Sequence, residues 1–355
     1  MLASYFSTLF DCYETQAYGA SYESVDGETT IQLYIAGFVD DNAGQVNLFG
    51  SIVPPSPEQL LERMEHDAQL WADILWESGG DLELPKCSYH FIFWDFLQSG
   101  RPSLRGGRVG PALKLRDGLG QTVTIESKSN YTSHKTLGCH IEPRGNLSGM
   151  KRHLRKKMAE FHRILVSSAL NRQEAWTFYF AIWLTSVGYP LPSCSFKFAQ
   201  LDGAQRKAIN AIISRCGYNR HTHRAIIFGP SSLGGANFRH LWVEQGVLQV
   251  TCFIKHWRLP KTQLGQLLRI AVSWFQAALG TGVSFMVDTD TPMPHLESKW
   301  LRSLREFLSQ CGASFSLEDY HIPAIQREGD THIMDTVLAS EKFTPIQIRR
   351  INYCR

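Results

Sequence analysis

The sequence predicts an α+β fold in which short strands and helices mix in an N-terminal portion and helices alone follow. Three observations lead there. An apolar run from Leu33 to Val39 ends in two adjacent carboxylates, Asp40 and Asp41. The polar Asn42-Ala43-Gly44-Gln45 then leads to a second apolar segment, Val46 to Phe49, which reads as strand, tight turn and returning strand with acids at the tip. Beyond Pro143, apolar residues recur at three- and four-residue intervals in one segment after another, the period of amphipathic helices. Charge divides the chain as well. Residues 1–90 hold two basic residues, Arg63 and Lys86, against fifteen acids, a balance of −13, so the other 265 residues carry +16 of the net +3.

In chain order, Ser4 to Tyr18 places Phe6, Leu9, Phe10, Tyr13 and Ala17 at helical spacing. A polar loop precedes the hairpin. Ser56-Pro57-Glu58-Gln59 opens a helix, with Ser as cap, Pro at the first position and Gln closing a capping box; its apolar face runs through Leu61, Met64, Ala68, Trp71 and Leu75 to a Gly79-Gly80 stop. Ser88 to Phe96 reads as an aromatic-rich strand, and short strands are expected within 101–116, 121–127 and 135–141. Leu147, Met150, Leu154, Met158, Phe161 and Leu165 then form one face of a long helix whose other side holds Lys151, Arg152, Arg155, Lys156 and Lys157. Asn171 caps a very aromatic helix through Trp183. Further helices are expected at about 201–215, 238–257, 262–278, 296–308, 331–338 and 344–353.

With 43% hydrophobic and 12% aromatic residues over 355 positions, the chain can bury a large core, and three domains are expected: 1–145, 146–230 and 231–355. The eight cysteines form no C-x-x-C pair, which argues against a zinc knuckle or a disulfide framework and for reduced thiols in an intracellular protein. No apolar stretch approaches the roughly 18 residues of a membrane span, and no signal-peptide pattern opens the chain. His134, Cys139 and His140 lack a fourth ligand within reach of the sequence and read as packing. Phe228-Gly229-Pro230-Ser231-Ser232 has no following Lys and is no P-loop. A basic portion after an acidic one suggests that the later part meets a polyanion.

The order of elements resembles the second half of a reverse transcriptase palm. The residues that carry the resemblance are Phe38-Val39-Asp40-Asp41, a helix ending in Ser78-Gly79-Gly80, a strand entered through Leu84-Pro85-Lys86-Cys87, and a strand bearing Thr136-Leu137-Gly138. The reverse transcriptase-like domains of non-LTR retroelements also follow these motifs with a basic helical thumb and a tail carrying a run similar to Leu233-Gly234-Gly235-Ala236-Asn237-Phe238. The resemblance implies a partial polymerase palm, an antiparallel sheet with flanking helices, followed by an α-helical thumb and tail. It implies RNA-directed DNA polymerase chemistry, a two-metal nucleotidyl transfer with magnesium or manganese, and an RNA template with a DNA primer as partners. Asp40 and Asp41 would be catalytic and hold metal. Lys86 would neutralise departing pyrophosphate, and Leu137 and Gly138 would lie in the primer grip. Lys151, Arg152, Arg155, Lys156 and Lys157 would contact phosphates of the RNA–DNA duplex without reading sequence.

One departure bears on activity. Such a palm needs a further aspartate and a Gly-containing nucleotide-binding segment ahead of the hairpin, yet only 39 residues precede Asp40 and the single candidate, Asp11, sits on a helical face. The expectation is therefore a fragment of a retroelement reverse transcriptase, its N-terminal palm and fingers portion lost, with an incomplete metal cage. A catalytically inactive nucleic-acid-binding relic and a structural or interaction protein that kept the fold stay open beside it.

Overall fold

The structure is a computed structural model; it describes residues 2–38, 41–48, 56–98, 102–105, 110–318, 320, 322 and 327–355. The chain forms two compact units, the first built from residues 1–133 and 259–274, the second from 134–258 and 275–355.

The first unit opens with helix α1 (Leu2–Glu14), followed by two hairpins, β1 (Ala20–Glu23) with β2 (Thr30–Leu33) and β3 (Ile35–Phe38) with β4 (Asp41–Gly44). Helix α2 (Pro57–Glu77) starts where expected. The Ser56 hydroxyl accepts from Gln59 N, the Gln59 side chain returns to Ser56 N, and Pro57 fills the first position. A 3₁₀ turn at Leu84–Lys86 leads to six short strands: β5 (Tyr89–His90), β6 (Trp94–Phe96), β7 (Pro102–Leu104), β8 (Leu113–Arg116), β9 (Thr122–Ile125) and β10 (Ser127–Lys128). Among the described residues, two apolar clusters involve α2. Phe10 stacks on Trp71 at 5.2 Å beside buried Leu9 and Tyr13, joining α1 to α2; Leu84, Leu113, Leu115 and Ile125 pack against Leu61, Met64 and Ala68 of α2.

The predicted palm sheet is not found. Among the described residues the strands pair only two by two, β1 with β2, β3 with β4, β6 with β7 and β8 with β9 antiparallel, β5 with β10 parallel. Strands of two to four residues offer few ladder bonds, and Pro102 and the turn at Gly118 and Gly120 interrupt the run before a wider sheet can grow. The hairpin also differs from its expected register. Phe38 pairs with Asp41, so Asn42 to Gly44 belong to the returning strand rather than the turn. Residues 45–48 form no strand: the Asn47 carboxamide accepts from Ser21 N at 3.0 Å and donates to Ser21 O at 2.8 Å, taking a strand's place beside β1 with a side chain.

In the second unit a hairpin of β11 (His134–Thr136) and β12 (Cys139–Ile141) precedes helices, with no further strand among the described residues. These are α3 (Ser148–Ser167), α4 (Arg172–Thr177), α5 (Leu184–Gly188), α6 (Phe198–Arg215), α7 (Arg224–Phe228), α8 (Leu241–Trp257), α9 (Gln263–Leu279), α10 (Lys299–Gln310), α11 (Ile333–Ala339) and α12 (Pro345–Cys354). Helix α9 contributes to the first unit up to Trp274. The capping box at Asn171 forms with Glu174, and a π-helical stretch at Phe178–Trp183 continues α4 into α5. One apolar core joins Met150, Leu154, Met158 and Leu165 of α3 to Tyr179, Trp183, Ile209, Ile212, Phe238 and Leu241, and so runs continuously across position 230. Buried glutamines fasten the connecting chain: Gln245 exchanges two hydrogen bonds with the Phe196 backbone and Gln249 donates to Cys194 O at 2.6 Å. All eight cysteines are free thiols. Among the described residues, no helix is long and apolar enough to cross a membrane.

Candidate nucleic-acid interface

Asp40 and the Asp41 side chain, the expected metal ligands, lie outside the described residues; the Asp41 backbone opens β4. Asp11 stands on the exposed side of α1 while its neighbour Phe10 turns inward onto Trp71. The buried carboxylate of this unit, Asp67, accepts from Tyr18 N and Gly19 N at 2.8 Å each and anchors the chain after α1. Among the described residues no three His, Cys, Asp or Glu side chains converge on a common point. A two-metal centre requires such convergence, so the described residues do not fit one.

Lys86 closes the 3₁₀ turn that follows Leu84, and its ammonium lies 2.5 Å from Glu83 Oε2 with both side chains largely in solvent. An exposed pair three residues apart contributes little stability.

The other candidates share the second unit. Leu137 and Gly138 are the two residues between Thr136 and its partner Cys139, with φ of +50° and +80°. Positive φ at both central positions makes a type I′ turn, where Asn-Gly or Gly-Gly is the usual choice. A leucine there strains its backbone and leaves a large apolar side chain exposed at the tip. A methyl group on Gly138 would stand 3.6 Å from the Tyr189 ring, so the tip lies alongside that exposed aromatic.

Helix α3 separates the five predicted cations. Arg152, Arg155 and Lys156 are exposed, whereas Lys151 and Lys157 are half-buried at the flanks of the apolar face. The Lys157 ammonium donates to Ser186 O at 3.1 Å. Helical geometry explains the split: a seven-residue run spans nearly two turns, so positions on both sides of it border the stripe formed by Met150, Leu154 and Met158. Among the described residues no carboxylate pairs with Lys151, Arg152, Arg155 or Lys156. The helix has no side-chain cap and no acid in its first turn, so Lys151, at the end of that turn, stands where the helix dipole already makes the potential positive.

The structure adds residues to this face. Arg163, two turns beyond Lys156, is exposed on the same side of α3; the helical period of the cations already pointed to it. His140 of β12 comes against His153 of α3, with ring centroids 5.0 Å apart and tilted by 41°. The His140 amide donates to Met150 Sδ at 3.4 Å, and Lys135 is the cross-strand partner of His140. Burial, then Lys135, Arg152 and His134, hold His140 below the usual histidine range. Burial, then His140, Lys157, Lys135 and Lys156, do the same for His153. Thirteen positions separate the two histidines, and no local pattern pairs them.

The arrangement is a surface of guanidinium and ammonium groups beside a strained apolar turn and an exposed tyrosine. It can neutralise a row of phosphates and lay apolar groups against sugar or base. No protein-family model, curated protein or solved structure matches the chain.

Proposed function

We propose that this chain binds the phosphate backbone of a nucleic-acid duplex through α3 and the β11–β12 hairpin, and that it is a reverse transcriptase relic that extends no primer. The observation that carries the reading is the trio Arg152, Arg155 and Lys156, exposed on one helix face with no carboxylate partner among the described residues. Cations held in solvent next to one another repel, and a counter-polyanion relieves that repulsion while releasing its own condensed ions. An RNA–DNA hybrid is the duplex chosen because the order of motifs resembles reverse transcriptases of non-LTR retroelements. In the parent enzyme magnesium would serve the carboxylates at Asp40 and Asp41; in this chain duplex binding needs none.

The test is the salt dependence of hybrid-duplex binding. Four phosphate contacts, from the trio and Arg163, predict a log–log slope of about −3 to −4. Changing Arg152, Arg155 and Lys156 together to Gln preserves helix propensity and should make the slope shallower by about 2 to 3. An unchanged slope and affinity in the triple variant would remove this face as the binding site. The same preparation should extend no primer on poly-rA with magnesium or manganese; extension that Asp40→Asn abolishes would restore the polymerase reading.

A further inference from the structure

The two histidines that meet between β12 and α3 belong to the same surface as the exposed trio, and they differ from it in one property: their charge is conditional. His140 and His153 sit 5.0 Å apart, and the charged groups that act on them come from both packed elements, His134 and Lys135 from β11, Arg152, Lys156 and Lys157 from α3. Every one of these is a cation or a further imidazole. From α5, the Ser186 carbonyl takes the Lys157 ammonium at 3.1 Å. Among the described residues no carboxylate forms an ion pair with either ring, Glu142 two residues beyond His140 being buried with its Oε1 atom unpartnered, and the His140 Nδ1 atom is likewise buried without a hydrogen-bond partner.

We propose that the His140–His153 pair couples duplex binding to protonation, so that the pair is neutral in the free protein and takes up a proton when phosphates dock on this face. The inference rests on the duplex-binding reading above and adds to it a residue pair and a direction of pH dependence. The cause is electrostatic. In the free protein a proton on either ring joins a cluster of like charges; with phosphates seated, the same proton lies beside negative charge. The pair's affinity for protons therefore rises on binding, and by linkage duplex affinity rises as pH falls. The sign follows from the direction of the free-state shifts, since both rings start below the usual histidine range and only binding moves them up. The window runs from the lowered range in which the free pair titrates up to the higher range in which the bound pair does. Each proton taken up steepens binding by about tenfold per pH unit within that window.

The experiment uses the full chain and a 20-base-pair RNA–DNA hybrid. Calorimetric titrations at pH 6.5 in two buffers of unlike ionisation enthalpy should give binding enthalpies that differ in the sense of proton uptake. Affinity should rise by about tenfold between pH 7.5 and 6.0, at fixed ionic strength. The double variant His140→Gln, His153→Gln should lose the uptake and the pH dependence, and far-ultraviolet circular dichroism and a cooperative denaturant transition check that it is folded. A parent protein that binds the duplex with equal enthalpy in both buffers overturns the inference and leaves the duplex-binding reading standing, and needs no variant. Uptake that persists in the folded double variant overturns it as well. Absence of any duplex binding removes both.

Discussion

The two units treat their charges in opposite ways. In the first, acids serve the chain's own structure. Asp67 takes two backbone amides, Asp117 accepts from Leu119 N and Gln121 N to close the β8–β9 turn, and Asp95 pairs with Arg105 across β6 and β7. In the second, α3 carries exposed cations that pair with no carboxylate among the described residues. Internal use is available there too: Arg305 is buried and gives its guanidinium to the carbonyls of Phe285, Asp288 and Thr291. The exposed trio Arg152, Arg155 and Lys156 thus contrasts both with buried Arg305 and with the acids of the first unit. An acidic half need not hold cations, because its carboxylates can be occupied by backbone N–H groups.

The largest expected effect tests the internal half of that contrast. Asp67→Ala removes two charge-assisted hydrogen bonds from a buried carboxylate and leaves amides unpaired, a loss of about 4 kcal/mol in the first unit. Denaturant titration reports it, and hybrid-duplex affinity should be unchanged at a denaturant concentration where the variant is still folded. A loss below about 1 kcal/mol would mean that this acid is not structural.

A slightly smaller effect concerns the second unit. His295 is buried with its Nε2 3.2 Å from Leu279 O, and burial, followed by the charges of Arg355, Arg305 and Arg302, pushes it down to about 4. Its neutral form is favoured by folding, so the contribution is fully present above the unfolded value of about 6.5 and is lost as pH falls through 4. Stability should drop by about 3 kcal/mol between pH 7 and pH 4 from this residue, and His295→Asn should flatten that part of the pH profile. A profile equally steep in the variant would assign the loss to other groups.

The smallest effect probes the hairpin tip. Leu137→Asn places a residue that tolerates positive φ at its +50° backbone and should stabilise the β11–β12 hairpin by about 1 kcal/mol. If the exposed leucine is kept for contact with a duplex, the same change weakens binding severalfold. A gain in stability with unaltered affinity would make Leu137 a turn residue only.

Much of the helical architecture was legible in the residues. The caps at Ser56 and Asn171 formed as their side chains dictate, and the apolar face from Leu147 to Leu165 became the buried face of α3. Capping and 3.6-residue periodicity act over a single turn or two, so the sequence displays them directly. The strands were less legible. Val46 to Phe49 alternates too little to name a partner, and it was the Asn47 carboxamide, reaching Ser21 across 26 positions, that displaced a ladder. Short pairings depend on which distant segment arrives first, and β5 with β10 in parallel could not be read from either segment alone.

By itself the sequence determined that a basic helix follows acidic, strand-bearing chain, and which of its faces is apolar. Those properties follow from the spacing of residue types along a helix whose geometry is constant. Only the tertiary structure decided that Arg152, Arg155 and Lys156 stay in solvent while Lys157 turns to the Ser186 carbonyl, and that His140 and His153 meet. Packing of a hairpin and a second helix against α3 determines how far from the apolar stripe a long side chain must lie to remain free, and that depends on neighbours the local sequence does not contain.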